Sequence, residues 1–231
     1  ACVWAEEKKT LNWSLREKEF YQILNASKSE NDYDCIIPVS GGKDGTYVTH
    51  QLKYKYKLKP LCITVRPAME LDIGKKNLEN FLKTGIDHMH ISPDLMVMSQ
   101  LDKIGFFDYG QGYYGWMTAM HSAVVRIASY LKIKLIIYGE DGEVEYGGTT
   151  KYKNIPCYGI DHMKKVFLNN TYEDVLNKSN LNRKDRYWFS FPSEYLKDIK
   201  ITHYSYFENW NPYTNYMLAK EKYGLEDLVT S

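Results

Sequence analysis

Ser40-Gly41-Gly42-Lys43-Asp44-Gly45-Thr46 follows directly on the apolar run Cys35-Ile36-Ile37-Pro38-Val39 and leads into Tyr47-Val48-Thr49-His50-Gln51-Leu52. A strand, a tight glycine turn and a helix N-terminus in that order aim bare backbone N–H groups at one point, with a lysine charge and hydroxyls beside them. The order predicts a phosphate cradle. Two better-known cradles are excluded by spacing. The pattern G-x-x-x-x-G-K-[ST] fails because no glycine stands five residues before Gly42 and because Asp44 occupies the hydroxyl position after Lys43. The dinucleotide pattern G-x-G-x-x-G is not supplied by Ser40-Gly41-Gly42.

In order and context the stretch resembles the S-G-G-x-D-[ST] signature of the PP-loop ATP pyrophosphatases, which grip the β- and γ-phosphates of ATP and transfer AMP. One departure stands out: Gly45 intervenes, so the hydroxyl after Asp44 is displaced to Thr46. ATP-binding candidates on this stretch are Ser40, Gly41, Gly42, Lys43, Asp44, Gly45 and Thr46.

With 231 residues the chain suits one large α/β domain or a domain with a small appendage, and it can bury a proper core. We expect a helical segment over 1–30 and the nucleotide domain over 31–231. The 30 Lys+Arg against 29 Asp+Glu leave a net charge of +1, which offers no global field for nucleic acid or an anionic membrane. No apolar run approaches the ~20 residues of a membrane span, and no signal-peptide pattern opens the chain. Cys2, Cys35, Cys62 and Cys157 are scattered in mostly apolar contexts, as befits thiols in a reducing cytosol, so we expect a cytoplasmic protein.

Strand and helix signals alternate. Helices are predicted over 15–27, 46–56, 69–83, from Pro93-Asp94 through 103, and over 116–131; strands over 34–39, 60–65, 87–91 and 134–138. Short apolar strands alternating with helices predict a parallel sheet with helices on both faces, where ligands bind off the carboxyl ends of the strands.

That rule selects further candidates. Gly139-Glu140-Asp141-Gly142-Glu143-Val144-Glu145 follows the fourth predicted strand and brings four carboxylates to the same edge as the glycine turn. Carboxylates beside ATP are tolerable when Mg2+ sits between them or when they hold hydroxyl or amino groups of a substrate. Lys43, Asp44, Glu140 and Asp141 are therefore the catalytic candidates, with Asp44 and Glu140 for Mg2+ and Glu143 and Glu145 for substrate. Gly139 joins the ATP set, as do Thr64 and Val65 at the end of the second strand, where backbone groups would hold adenine. Arg126 is a charge in the apolar run Ala123-Val124-Val125-Arg126-Ile127-Ala128, read as a phosphate clamp against a snorkelling surface residue. Gly110-Gln111-Gly112-Tyr113-Tyr114-Gly115 spells a dinucleotide pattern without the strand it needs. As an aromatic loop at a helix start it could line a pocket, with Tyr113, Tyr114 and Trp116 stacking on a sugar or base.

Taken with Thr10-Leu11-Asn12-Trp13, the 106–116 and 138–148 strings, and Tyr187-Trp188-Phe189-Ser190-Phe191-Pro192-Ser193, the chain resembles the N-acetyl sugar amidotransferases over nearly its whole length. These are PP-loop enzymes of bacterial surface-sugar pathways, including the pseudaminic-acid and O-antigen branches. The resemblance implies ATP and Mg2+, an N-acetylated sugar as substrate, and conversion of its acetamido group to an acetamidine with release of AMP and pyrophosphate. It implies that Cys2 ends a cysteine motif lying mostly before residue 1, a Zn2+ ligand only with those missing cysteines, that the chain stops early at Ser231, and that a stretch near 152–156 is absent. Ammonia must be delivered; neither Cys35 nor Cys62 sits on a glutaminase-like elbow, so a separate glutaminase subunit is the expected partner. No nucleic-acid or membrane partner is expected. A PP-loop tRNA thiolase would need a persulfide-bearing Cys and a basic RNA face, while an NAD- or GMP-synthetase-like amidotransferase would share the loop and differ in acceptor.

Overall fold

A computed structural model describes residues 2–28, 32–140, 154–194 and 199–228. Five parallel strands, β1 (Cys35–Pro38), β2 (Pro60–Val65), β3 (His88–Ile91), β4 (Leu135–Tyr138) and β5 (Lys200–His203), lie in the order β3-β2-β1-β4-β5. In register, Ile36 of β1 pairs with Leu61 on one side and Ile136 on the other, and Ile136 pairs with Ile201.

Side chains alternate between two cores because successive strand residues point to opposite faces. Ile36, Ile63, Ile136 and Ile201 face a core closed by α5 (Leu95–Tyr109), α6 (Tyr114–Tyr130), α7 (Ile160–Val166) and α8 (Tyr172–Lys178). Cys35, Ile37, Cys62 and Ile137 face the other, closed by α2 (Trp13–Ser27), α3 (Lys43–His50), α4 (Asp72–Leu82) and α9 (Pro212–Tyr223). Burial on both faces explains why β1, β2 and β4 read as largely apolar runs. A short helix, α1 (Cys2–Lys8), precedes α2.

The expected strands are all present, within a residue at either end. The helix expected over 46–56 instead starts at Lys43 and continues past His50 as a π-helical turn, Gln51–Lys55. The helix opened by Asp94, whose side chain accepts from the N–H groups of Met96 and Val97, runs on to Tyr109 and is stopped by the left-handed Gly110. Gly110 is thus a helix stop, and Gly115 lies where α6 crosses α5 so closely that a Cβ would stand 2.4 Å from the Met98 carbonyl oxygen. Gly110 and Gly115 of the string serve helix ending and helix packing. Strand β5 and helices α7, α8 and α9 carry no strong sequence period and were not anticipated.

Candidate active site

With β1 next to both β2 and β4, the chain leaves β1 toward one side of the sheet and β4 toward the other. The crevice between their carboxyl ends is the topological switch point, where doubly wound sheets bind ligands. The glycine turn follows β1 and Gly139-Glu140 follows β4, so the two stretches meet there.

The turn is anchored on all sides. Val39 donates its N–H to the Ile63 carbonyl at 2.9 Å, and Thr64 donates its hydroxyl to the Val39 carbonyl at 2.7 Å. Because that hydroxyl proton is committed, His88 Nε2, 2.8 Å from Thr64 Oγ1, must be the protonated ring nitrogen, donating to it. Gly41 is left-handed at φ +81°, and a Cβ there would lie 2.5 Å from the Leu78 backbone nitrogen and 2.6 Å from its Cα. Only glycine permits both the turn and the approach of α4. Gly42 then caps α3, whose first turn points its free N–H groups into the crevice. Across the crevice a Cβ on Gly139 would stand 2.8 Å from the Gly45 nitrogen and 3.0 Å from the Asp44 carbonyl oxygen. A Cβ at Gly45, the position after Asp44, would meet the Val39 side chain at 3.2 Å, and Thr46 beyond it is buried.

Lys43 and Asp44 are paired side by side, Nζ to Oδ2 at 2.5 Å, with both groups still partly open to solvent. Asp44 Oδ1 accepts a second bond, 3.2 Å long, from Nδ2 of Asn215, a buried residue of α9. Asn215 fixes the carboxylate from an element far away in sequence, and no local pattern marks it. Glu140 sits behind, half-buried, and its backbone meets the His203 ring. Among the described residues no three His, Cys, Asp or Glu side chains are grouped to hold a metal. Mg2+ bound with a nucleotide needs only one or two carboxylates, the rest of its shell coming from phosphate and water, and the Asp44 carboxylate at the loop fits that requirement. Cys35 and Cys62 are buried in the sheet and Cys157 is half-buried, while the Cys2 side chain lies outside the described residues.

Behind β4 and β5 is a histidine and tyrosine cluster that the sequence did not signal. His121 Nδ1 lies 2.9 Å from the Tyr138 hydroxyl, and His203 Nε2 lies 2.8 Å from the Tyr158 hydroxyl. Burial pushes His121 down to about 3 and His203 down to about 4, the Glu140 backbone opposing the shift in His203. Both rings are neutral at physiological pH and back the wall of the crevice with polar, uncharged groups.

The remaining expected site residues divide. Tyr113 is exposed at the start of α6. Trp116 is half-buried and donates its indole N–H to the Val65 carbonyl at 3.0 Å, so that oxygen is already engaged at the strand end expected to hold adenine. Tyr114 does not stack on a ligand: its ring is 1% exposed and its hydroxyl accepts a bond from Thr171 at 3.0 Å. Tyr113 is the left-handed cap before α6, whereas Tyr114 is the first residue of the helix and its side chain packs into the core. Arg126 does not reach the phosphate loop either. It lies ten residues along α6 from Trp116, about 15 Å of helix rise toward the amino ends of the strands, and α6 covers the face opposite α3. Its guanidinium donates to the Tyr187 and Ser190 carbonyls at 2.8 and 2.7 Å. Asp141, Glu143 and Glu145 lie outside the described residues.

The strand order and the loop at its switch point define a doubly wound α/β domain. No family model matches the chain. It is 36% identical over 90 residues to an uncharacterised protein of Methanocaldococcus jannaschii; the match covers 38% of this chain and 30% of that protein, so the chain spans less than a third of its relative's length. Among solved structures, the U34-tRNA thiolase NcsA of Methanococcus maripaludis is similar at a TM-score of 0.42 with 15% identity, covering 92% of this chain and 66% of that one. The NH3-dependent NAD synthetase of Campylobacter jejuni is similar at 0.39 with 17% identity over 81% of this chain and 100% of that one. Likenesses of this size transfer no activity. No described helix is long and apolar enough to cross a membrane.

Proposed function

We propose that the chain is an AMP-forming ATP pyrophosphatase that activates a carbonyl oxygen for attack by ammonia. The observation that carries this reading is the convergence, at one crevice, of the Gly41 turn, the first turn of α3, the Lys43–Asp44–Asn215 triplet and Glu140. The backbone N–H groups and Lys43 would hold the β- and γ-phosphates, while Asp44, kept in place by Asn215, would hold a Mg2+ ion supplying charge neutralisation on the phosphates.

The acceptor we propose is the acetamido group of a sugar, on the strength of the resemblance in the sequence strings. Its carbonyl oxygen attacks the α-phosphorus; an O–P bond forms, the bond to the bridging oxygen of the β-phosphate breaks, and pyrophosphate leaves. Ammonia then attacks the imidate carbon, the C–O bond to AMP breaks, and the surplus proton passes to water, leaving an acetamidine. The lysine and the amides act on the leaving pyrophosphate, where negative charge grows. Ammonia comes from a separate glutaminase subunit in this reading, and the setting is cytoplasmic. An NAD- or GMP-synthetase-like acceptor is served by the same first step. A tRNA thiolase-like acceptor step would draw on a cysteine other than Cys62 and Cys157, whose thiols burial pushes up to about 12 and about 11.

The test is AMP formation by the isolated protein with ATP and ammonium, across N-acetylated sugars, deamido-type carboxylate acceptors and tRNA. A sugar product about one mass unit lighter, appearing with AMP, is the expected result. Replacing Lys43 or Asp44 with Ala should lower turnover by roughly 10²-fold, the scale of one lost electrostatic contact in a transition state. AMP formation unchanged in both variants would overturn the assignment of the loop; AMP formation with tRNA alone would overturn the acceptor.

A further inference from the structure

A cleft of about 780 Å³ opens on the α6 face, between the last turns of α6, helices α7 and α8, and the segment 186–194. None of the residues from Ser40 to Thr46 lines it. Its deepest charged group is Arg126, 9% exposed. The guanidinium lies 4.0 Å from the centre of the Tyr187 ring and is tethered through Nη2 to the two carbonyls named above, while its Nε–H is buried without a hydrogen-bond partner. An arginine cannot shed its proton to escape that situation, and a buried donor left without an acceptor is costly. An acceptor brought by a ligand removes the cost.

The surroundings favour an anion. Arg183 and Arg186 line the same cleft, and among the described residues neither makes an ion pair. Lys164 is neutralised by Glu173 at 2.8 Å. Asp161 and Glu194 also line the cleft, but both are exposed and solvated, whereas Arg126 is not. Tyr172 and Phe191, ring centres 5.2 Å apart and edge to face, add an aromatic wall. Three guanidinium groups exceed what a lone carboxylate can engage and suit the several peripheral oxygens of a phosphate monoester.

We propose that this cleft is a second ligand site, separate from the phosphate loop, that takes an organic phosphate: the phosphate on Arg126, Arg183 and Arg186, and a planar or sugar body on the Tyr172–Phe191 wall. The test is calorimetric titration of the full chain with uridine 5′-monophosphate, beside citrate as a carboxylate of similar charge. Saturable binding of the nucleotide is expected, retained in Lys43→Ala and weakened about tenfold or more in Arg183→Gln/Arg186→Gln, in line with the loss of charge-assisted hydrogen bonds. Arg183 is exposed and Arg186 half-buried, and circular dichroism will check that the double variant folds. Absence of binding by the unaltered chain, or binding abolished by Lys43→Ala and indifferent to the arginine variant, would overturn the proposal. Citrate binding tighter than the nucleotide would overturn the assignment to phosphate.

Discussion

Replacing Gly41 with Ala tests the construction of the loop more sharply than removing any charged group. Two independent costs add. A left-handed backbone at φ +81° costs an alanine about 1–2 kcal/mol. The new methyl would also stand 2.5 Å from the backbone nitrogen of Leu78, an atom held inside α4 that cannot swing aside. Forcing such a contact open costs about 1–3 kcal/mol. Together these are roughly 2–5 kcal/mol, a large part of the ~5–15 kcal/mol that holds a domain folded. At about 2–4 °C per kcal/mol for a domain of this size, the unfolding midpoint should fall by roughly 5–20 °C. Gly42→Ala is the internal control. Gly42 has an ordinary φ of −75°, and its added methyl meets only the Ser40 hydroxyl oxygen at 3.3 Å, a group that can rotate away. Its stability should stay within about 1 kcal/mol of the parent, so thermal and urea unfolding followed by circular dichroism should separate the two variants clearly. Equal midpoints for Gly41→Ala and Gly42→Ala would refute the claim that the turn is held in its shape by α4.

Asn215→Ala removes a buried donor to the Asp44 carboxylate and should cost about 1.5–3 kcal/mol of stability, with a drop in AMP formation that Asn215→Asp, by setting a second carboxylate beside Asp44, deepens; activity indifferent to both changes would mean that Asp44 is held by other means. Because His203 is pushed down to about 4 and His121 to about 3, the unfolded chain binds protons below pH ~6.5 that the folded chain refuses. Stability should therefore be full above that pH and fall by several kcal/mol as the pH drops toward 4; a urea midpoint whose pH dependence is the same in His203→Gln as in the parent would refute this. Trp116→Phe loses the bond to the Val65 carbonyl and should cost about 1 kcal/mol of stability while leaving acceptor KM alone; a tenfold rise in KM at unchanged stability would instead show stacking on the substrate.

The sequence carried the sheet and the loop because both are written locally. Runs such as Pro60–Val65 are apolar at every position, since both sheet faces are covered, and the glycines of the turn answer to backbone geometry within a few residues. Local pattern also placed Gly139-Glu140 at the right edge, given the rule for the carboxyl ends of parallel strands. It failed wherever direction or distance through the fold decides. Tyr113 and Tyr114 are adjacent and alike in sequence, yet one is exposed and the other is sealed in the core, because Tyr113 caps α6 in a left-handed conformation outside the helix while Tyr114 opens the helix against the core. Arg126 has the look of a clamp in its run of apolar neighbours, but α6 runs antiparallel to the strands and carries it away from the loop, to a cleft whose other walls come from residues 160–194. Asn215 and His203 reach the crevice from the last quarter of the chain through elements too short or too weakly periodic to announce themselves. The residues that bend the backbone at the site were thus legible one by one. Those that hold its charges in position were decided only by which helices the sheet brings together.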